Sequence, residues 1–136
     1  DITLDSFAGE WLISRKITDD KGPDASFTGV ACFNAHDGGL QLEETGQMHL
    51  GGQSFNATRR YIWRAQGAEI AVYFDDGRFF HRFQPGATVA AAHWCHPDDY
   101  RVIYDFDRWP EWRSTWRVTG PRKAYRMESL FQPVSC

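Results

Sequence analysis

The sequence predicts an all-β protein, an antiparallel up-and-down barrel of about nine or ten strands. Three observations predict it. Polar and apolar residues alternate in successive short runs rich in aromatic and β-branched side chains, and no segment carries a helical period. Clusters of Gly, Pro, Asn and Asp separate those runs at short intervals. Aromatic residues make up 15% of the 136, with six Trp among them, and such side chains favour strands and line ligand cavities. A series of sequential hairpins removes its exposed edges by closing on itself, and a closed barrel of about eight or more strands has room for a small ligand.

In chain order, residues 1–8 read as a lead-in. Gly9-Glu10-Trp11 opens the strand WLISRKIT, whose alternation places Trp11, Ile13, Arg15 and Ile17 on one face. DDKGPD turns the chain into ASFTGVACFN, with Phe27, Gly29, Ala31 and Phe33 on one face. After HDGG, LQLEETGQMHL reads as a polar strand or strand pair near an edge or rim, and Gly51-Gly52 leads into SFNATRRYIWRA. The stretch from Arg59 to Phe83 reads as a three-stranded meander. A two-residue turn at Gln66-Gly67 pairs Trp63 with Ile70 and Tyr61 with Val72. A two-residue type I′ turn at Asp76-Gly77 pairs Phe74 with Phe79, Val72 with His81 and Ile70 with Phe83. Beyond QPGAT, a turn at Pro97-Asp98 pairs His93 with Val102 and sets Trp94 opposite Arg101. EWRSTWRV, with Trp112, Trp116 and Val118 on one face, and AYRMESLF complete the set.

The length and the absence of a linker or repeat predict one domain, residues 1–136. A formal net charge of −3 offers no basic field to nucleic acid, and no apolar run approaches the length of a membrane span. Cys32, Cys95 and Cys136 are odd in number and irregular in spacing, which fits free thiols in a reducing cytoplasm.

Several longer stretches carry a resemblance. They are Phe7-Ala8-Gly9-Glu10-Trp11, Arg59-x-Tyr61-x-Trp63, Asp76-Gly77-Arg78-x-Phe80-His81-x-Phe83, His93-x-Cys95-x-x-Asp98-x-Tyr100 and Gly120-Pro121-Arg122-Lys123-x-Tyr125. Together they resemble a mostly bacterial, lipocalin-like (calycin-type barrel) family of unknown function. Ala124 departs from that family's pattern, in which an acidic residue precedes the tyrosine. The resemblance implies a lipocalin-like barrel and brings no activity with it. It also implies an arginine over the opening Trp11, for which Arg122 and Arg126 are the candidates.

The candidate site therefore rests on the residues. The meander's inward parity carries Arg59, Tyr61 and His81 on neighbouring rungs, among Trp11, Phe27, Trp63, Phe79, Tyr104 and Trp116. Arg15 and Arg59 can clamp an anion, or they can sit at a barrel mouth stacked on tryptophan. His81 can move a proton with Tyr61 beside it, or it can be a hydrogen-bonded core histidine. His93 and Tyr100 stand at the strand ends. His93 and Cys95 share a face, but no second Cys or His cluster completes a tetrahedral set, so no metal and no cofactor is assigned.

The expected function is binding of a small molecule with an anionic or polar end. The ligand-contacting residues would be Arg15, Arg59, Tyr61, Trp63, His81, His93, Tyr100, Tyr104 and Trp116. Two alternatives stay open: a cofactor-independent lyase, isomerase or hydratase using His81 and Tyr61, and a haem-binding barrel using His81 or His93.

Overall fold

The computed structural model describes residues 1–86 and 88–134, with backbone alone at 89 and 90. A short 3-10 helix, Leu4–Phe7, precedes ten strands. These are β1 (Gly9–Asp19), β2 (Ala25–His36), β3 (Gly39–Leu50), β4 (Gln53–Gln66), β5 (Glu69–Phe74), β6 (Phe79–Phe83), β7 (Val89–Cys95), β8 (Asp98–Asp105), β9 (Trp112–Thr119) and β10 (Ala124–Pro133). Every strand pairs antiparallel with its neighbours in one sheet, ordered β6-β5-β4-β3-β2-β1-β10-β9-β8-β7. The ladder between β1 and β10 joins the two ends of the chain. The sheet curls into a nearly closed barrel.

The two edge strands, β6 and β7, meet at a seam that side chains close. Phe80 packs on His93 and Tyr100, each at 5.4 Å between ring centroids. Phe83 stacks on Tyr104 at 4.1 Å. The rings of the short β6 thus reach across β7, which carries the small Ala91 and Ala92 there.

One end of the barrel is plugged. The 3-10 helix places Phe7 among Trp11, Phe33, Trp63, Phe106, Trp109 and Trp112, with centroids 5.2–6.5 Å away. The Trp11 indole N–H donates to the Phe7 carbonyl at 2.9 Å, tying plug to wall. Arg122 and Arg126 do not cover Trp11. Trp11 lies opposite Pro133, whereas Arg126 lies opposite Thr18 at the far end of the same ladder.

The inward faces of β1, β2 and β9 agree with their alternation: Trp11, Ile13, Arg15, Phe27, Ala31, Phe33, Trp112 and Val118 are buried. Other expectations need correction. β3 is a single strand in mid-sheet between β2 and β4, and its Leu42 and Glu44 are buried. The β4–β5 loop is Gly67-Ala68, so Tyr61 faces Phe74 and Trp63 faces Val72; each side chain keeps its face because the shift is by two residues.

The β5–β6 loop has three residues. Gly77 N–H donates to Phe74 O at 2.9 Å, Phe74 N–H donates to Arg78 O at 2.8 Å, and Gly77 takes φ +92° while Asp76 does not take a positive φ. This is a type I turn closed by a left-handed glycine, not a type I′ turn. Val72 still pairs with His81, but Tyr73 pairs with Phe79, which leaves Phe80 as a bulge. Phe80 is therefore buried and Phe79 is 45% exposed, the reverse of the expected order.

The β7–β8 loop is His96-Pro97, which puts His93 opposite Tyr100 and Trp94 opposite Asp99. Arg101 pairs with Asp99 at 2.9 Å, so no stacking of Trp94 on Arg101 forms. Cys32 and Cys95 are free and half-buried; Cys136 lies outside the described residues.

Candidate ligand site

A polar layer crosses the middle of the barrel. The ladders set Arg15 opposite Ser129 and Glu44 opposite Arg59. On β2, which lies between β1 and β3, the small residues Gly29 and Ala31 leave space for Arg15 to reach Glu44. The contact is bidentate, Nη1 to Oε1 at 2.9 Å and Nη2 to Oε2 at 3.0 Å, while Nε donates to Ser129 Oγ at 2.7 Å. Both side chains are almost wholly buried. Burial pushes the Glu44 carboxyl up, but Arg15, with Arg59 behind it, outweighs burial and holds it below its ordinary range. The pair is thus ionised and satisfied, as a buried ion pair has to be.

Arg59 stands on the same rung as Glu44, on β4. Its Nε donates to the Tyr61 hydroxyl at 3.1 Å, Nη2 also donates to that hydroxyl, and Nη1 lies 3.6 Å from Met127 Sδ. The guanidinium stacks over Trp116 at 4.8 Å and Tyr61 at 5.2 Å. No carboxylate among the described residues hydrogen-bonds it. Burial raises the Tyr61 hydroxyl despite Arg59, so it stays protonated.

His81 is 2% exposed, and its Nε2 lies 2.9 Å from the Tyr104 hydroxyl across the seam. Its Nδ1 is buried without a partner. Burial, with a smaller push from His93, lowers the imidazole from 6.5 to about 3. Burial also raises Tyr104 far above its ordinary range. The pair is neutral at any physiological pH. The Trp112 indole N–H is likewise buried without a partner.

The remaining expected site residues divide between interior and rim. Trp63 and Tyr104, with Arg15, Glu44 and Tyr61, line a void of about 20 Å³ at the barrel's centre. That is room for one water and no larger ligand. His93 and Tyr100 are half-buried at the open end, packed on Phe80. There a groove of about 420 Å³ opens between β4 and the β5–β6 loop, lined by Arg59, Arg60, Tyr61, Phe74, Asp75 and Asp76. Arg60 is paired with Glu43 at 2.7 Å and Asp76 with Arg78 at 2.8 Å.

Sequence reasoning missed Glu44, Ser129 and Phe80. Glu44 shares parity with Leu40 and Leu42 in LQLEE, and that alternation was the available signal. The bulge that turns Phe80 inward has no comparable sign.

The described residues form a ten-stranded antiparallel barrel of lipocalin-like fold. The chain belongs to a family of unknown function (DUF6314), which matches residues 7–133. Among solved structures it is similar to the S-type phycobiliprotein lyase CPES from Guillardia theta, with a TM-score of 0.61. Identity there is 6%, over 95% of this chain and 89% of that one, a likeness of fold. No curated protein matches the sequence.

Proposed function

We propose that this protein binds a small molecule with an anionic end, received at the open end of the barrel by Arg59. The observation that supports this is a charge inequality. Among the described residues, the buried Arg15 and the half-buried Arg59 meet one buried carboxylate, and Arg15 occupies both carboxylate oxygens of Glu44. Arg59 is left with aromatic faces, a hydroxyl and a thioether, and it lines a shallow groove open to solvent together with Arg60, Asp75 and Asp76. Arg59 shares the single Glu44 charge with Arg15 and hydrogen-bonds no carboxylate, so a net positive charge remains there and favours an anion. In this reading Tyr61 and Trp116 fix the guanidinium, His93 and Tyr100 contribute to the rim, and residues 1–136 act as one domain.

Binding is favoured over acid–base catalysis, because a histidine held near 3 and bonded to a neutral tyrosine is a poor proton carrier at neutral pH. A central void of about 20 Å³ has no room for haem inside the barrel.

The test compares anilinonaphthalene sulfonate with its uncharged counterpart N-phenylnaphthylamine by fluorescence titration. The parent should prefer the sulfonate. Arg59→Met keeps the alkyl packing and removes the charge, so it should weaken sulfonate binding by about tenfold or more and leave the neutral probe unchanged. Equal affinity of the parent for both probes, or an unchanged Arg59→Met, would sink the reading.

A further inference from the structure

The outer half of the β3–β4 hairpin has a property that the Arg59 site does not explain. β5 stops at Phe74, opposite Tyr61, so residues 53–60 of β4 have β3 on one side and no strand on the other. Residues 46–50 of β3 stay paired with 25–29 of β2, so this part of the hairpin continues the sheet, with a free edge at β4 and two faces. On its outer face the Gln47 amide donates to Asn56, His49 Nδ1 lies 2.8 Å from Ser54 Oγ, and Arg60 holds Glu43. On the face that continues Glu44 and Arg59 come the pairs Gly46 with Ala57 and Met48 with Phe55, then Leu50. Met48 and Ala57 pack down onto the core, but Phe55 is 46% and Leu50 37% exposed. Phe55 and Leu50 thus leave a small exposed apolar strip beside the free edge of β4.

The row Gly29, Gly46 and Ala57 lies between the Glu44–Arg59 rung and the apolar strip. It crosses β2, β3 and β4 in register and carries almost no side chain. A Cβ on Gly29 would lie 2.8 Å from Gly46 Cα and run into the Thr45 carbonyl, so the two backbones approach as only glycines allow.

We propose that this apolar strip is the second half of the ligand site, and that the ligand is a monomeric amphiphile: a carboxylate or similar anion bearing an extended apolar chain. The inference rests on the anion reading of Arg59 and adds where the rest of the ligand lies. In a hollow barrel the chain of such a ligand would descend into the interior. Here the interior is filled, its central void being about 20 Å³. The chain has to run outward instead. From Arg59 the strip leads past Ala57 to Phe55, four residues along the strand or about 13 Å. The head meets a guanidinium that hydrogen-bonds no carboxylate, and the tail meets the partly exposed Phe55 and Leu50.

The test is a series of straight-chain carboxylates, acetate, hexanoate and dodecanoate below its micelle concentration, titrated calorimetrically into the full chain. Affinity should rise with length by about fourfold per buried methylene until the strip is covered. Phe55→Ser and Leu50→Ser alter exposed positions. They should erase most of the advantage of dodecanoate over hexanoate and leave hexanoate affinity within about twofold. Arg59→Met should weaken hexanoate and dodecanoate alike. If acids bind but length has no effect, or if the strip variants bind dodecanoate like the parent, this proposal falls while the anion reading stands. If no acid binds, both fall. Retention of the parent on phosphatidylglycerol vesicles, lost in Phe55→Ser and without length dependence in solution, would assign the strip to a lipid surface and overturn the monomeric ligand.

Discussion

The two ends of this barrel use the same side chains for different purposes. At the plugged end the rings pack on other rings, with one hydrogen bond from Trp11 to the Phe7 carbonyl. Phe7 contacts six of them, and Trp112 lies flat on Phe131 at 3.8 Å. At the open end the rings meet charges and dipoles: Arg59 stacks on Trp116 and Tyr61, Arg78 lies over Phe74, and His93 packs on Phe80. Aromatic content alone therefore does not locate a site. A ring surrounded by rings contributes packing. A ring beneath a guanidinium with no carboxylate partner contributes electrostatics, because its face favours a cation that is removed from water.

If that division holds, stability is concentrated at the plugged end. Phe7→Ala opens a cavity among rigid neighbours and should cost about 3–5 kcal/mol. Urea titration followed by tryptophan fluorescence should show a lower midpoint with an unchanged slope. A loss below about 1 kcal/mol would mean that the plug is an ornament on the barrel and that the comparison fails.

The polar layer is the exception to the division, since there a charge is part of the core. Glu44→Gln leaves Arg15 buried without its counterion and should cost about 3 kcal/mol. Adding Arg15→Met to that variant removes the stranded charge and should restore most of the stability. The Glu44 carboxyl is held below its ordinary value of 4.5 in the folded chain. It therefore contributes stability above 4.5, and that contribution is lost as pH falls through the folded value. The double variant should lack this part of the acid transition. A double variant no more stable than Glu44→Gln would show that the pair also holds the strands in register.

The strands, and the faces of β1, β2 and β9, were legible in the sequence, because alternation is a local property and these strands obey it. Loop length was not. Asp75-Asp76-Gly77 suits a two-residue or a three-residue loop, since both use a left-handed glycine, and the one-residue difference decides whether Phe79 or Phe80 points inward. Arg15 was legible as inward, whereas its partner was not. Glu44 lies 29 residues away on a strand that reads as polar, and only the β1–β2 and β2–β3 ladders together bring the two side chains to one spot. The unbalanced charge on Arg59, from which the candidate site follows, could be counted only once that pair was assembled.

His81 tests whether the seam belongs with the packed end or the charged one. Above pH 6.5 both folded and unfolded chains hold it neutral. Between 6.5 and about 3 only the unfolded chain takes up the proton, so stability falls as pH falls through that window. His81→Phe with Tyr104→Phe removes both partners of the 2.9 Å bond and should lie within about 1 kcal/mol of the parent at pH 7. By pH 4 it should exceed the parent by roughly 2–3 kcal/mol, because the penalty of a neutral buried imidazole is gone. Parallel stability curves from pH 7 to 4 would mean that the imidazole takes up its proton in the folded chain and that the seam admits charge and water.

The smallest effect concerns the turns, where the two ends should behave alike. Gly67 closes β4–β5 at the plugged end with φ +60°, and Gly77 closes β5–β6 at the open end with φ +92°. A Cβ at either position would meet no atom within 4 Å, so an alanine there costs backbone strain and nothing else. Gly67→Ala and Gly77→Ala should each lose about 1 kcal/mol. The ends should part only in ligand binding. Gly77 adjoins Asp75 and Asp76, which line the groove over Arg59, while Gly67 is at the other end of the molecule. Gly77→Ala should therefore change affinity for an anionic probe, and Gly67→Ala, equally destabilised, should not. An equal change in both would trace the probe's affinity to global stability, and the open end would lose its separate role.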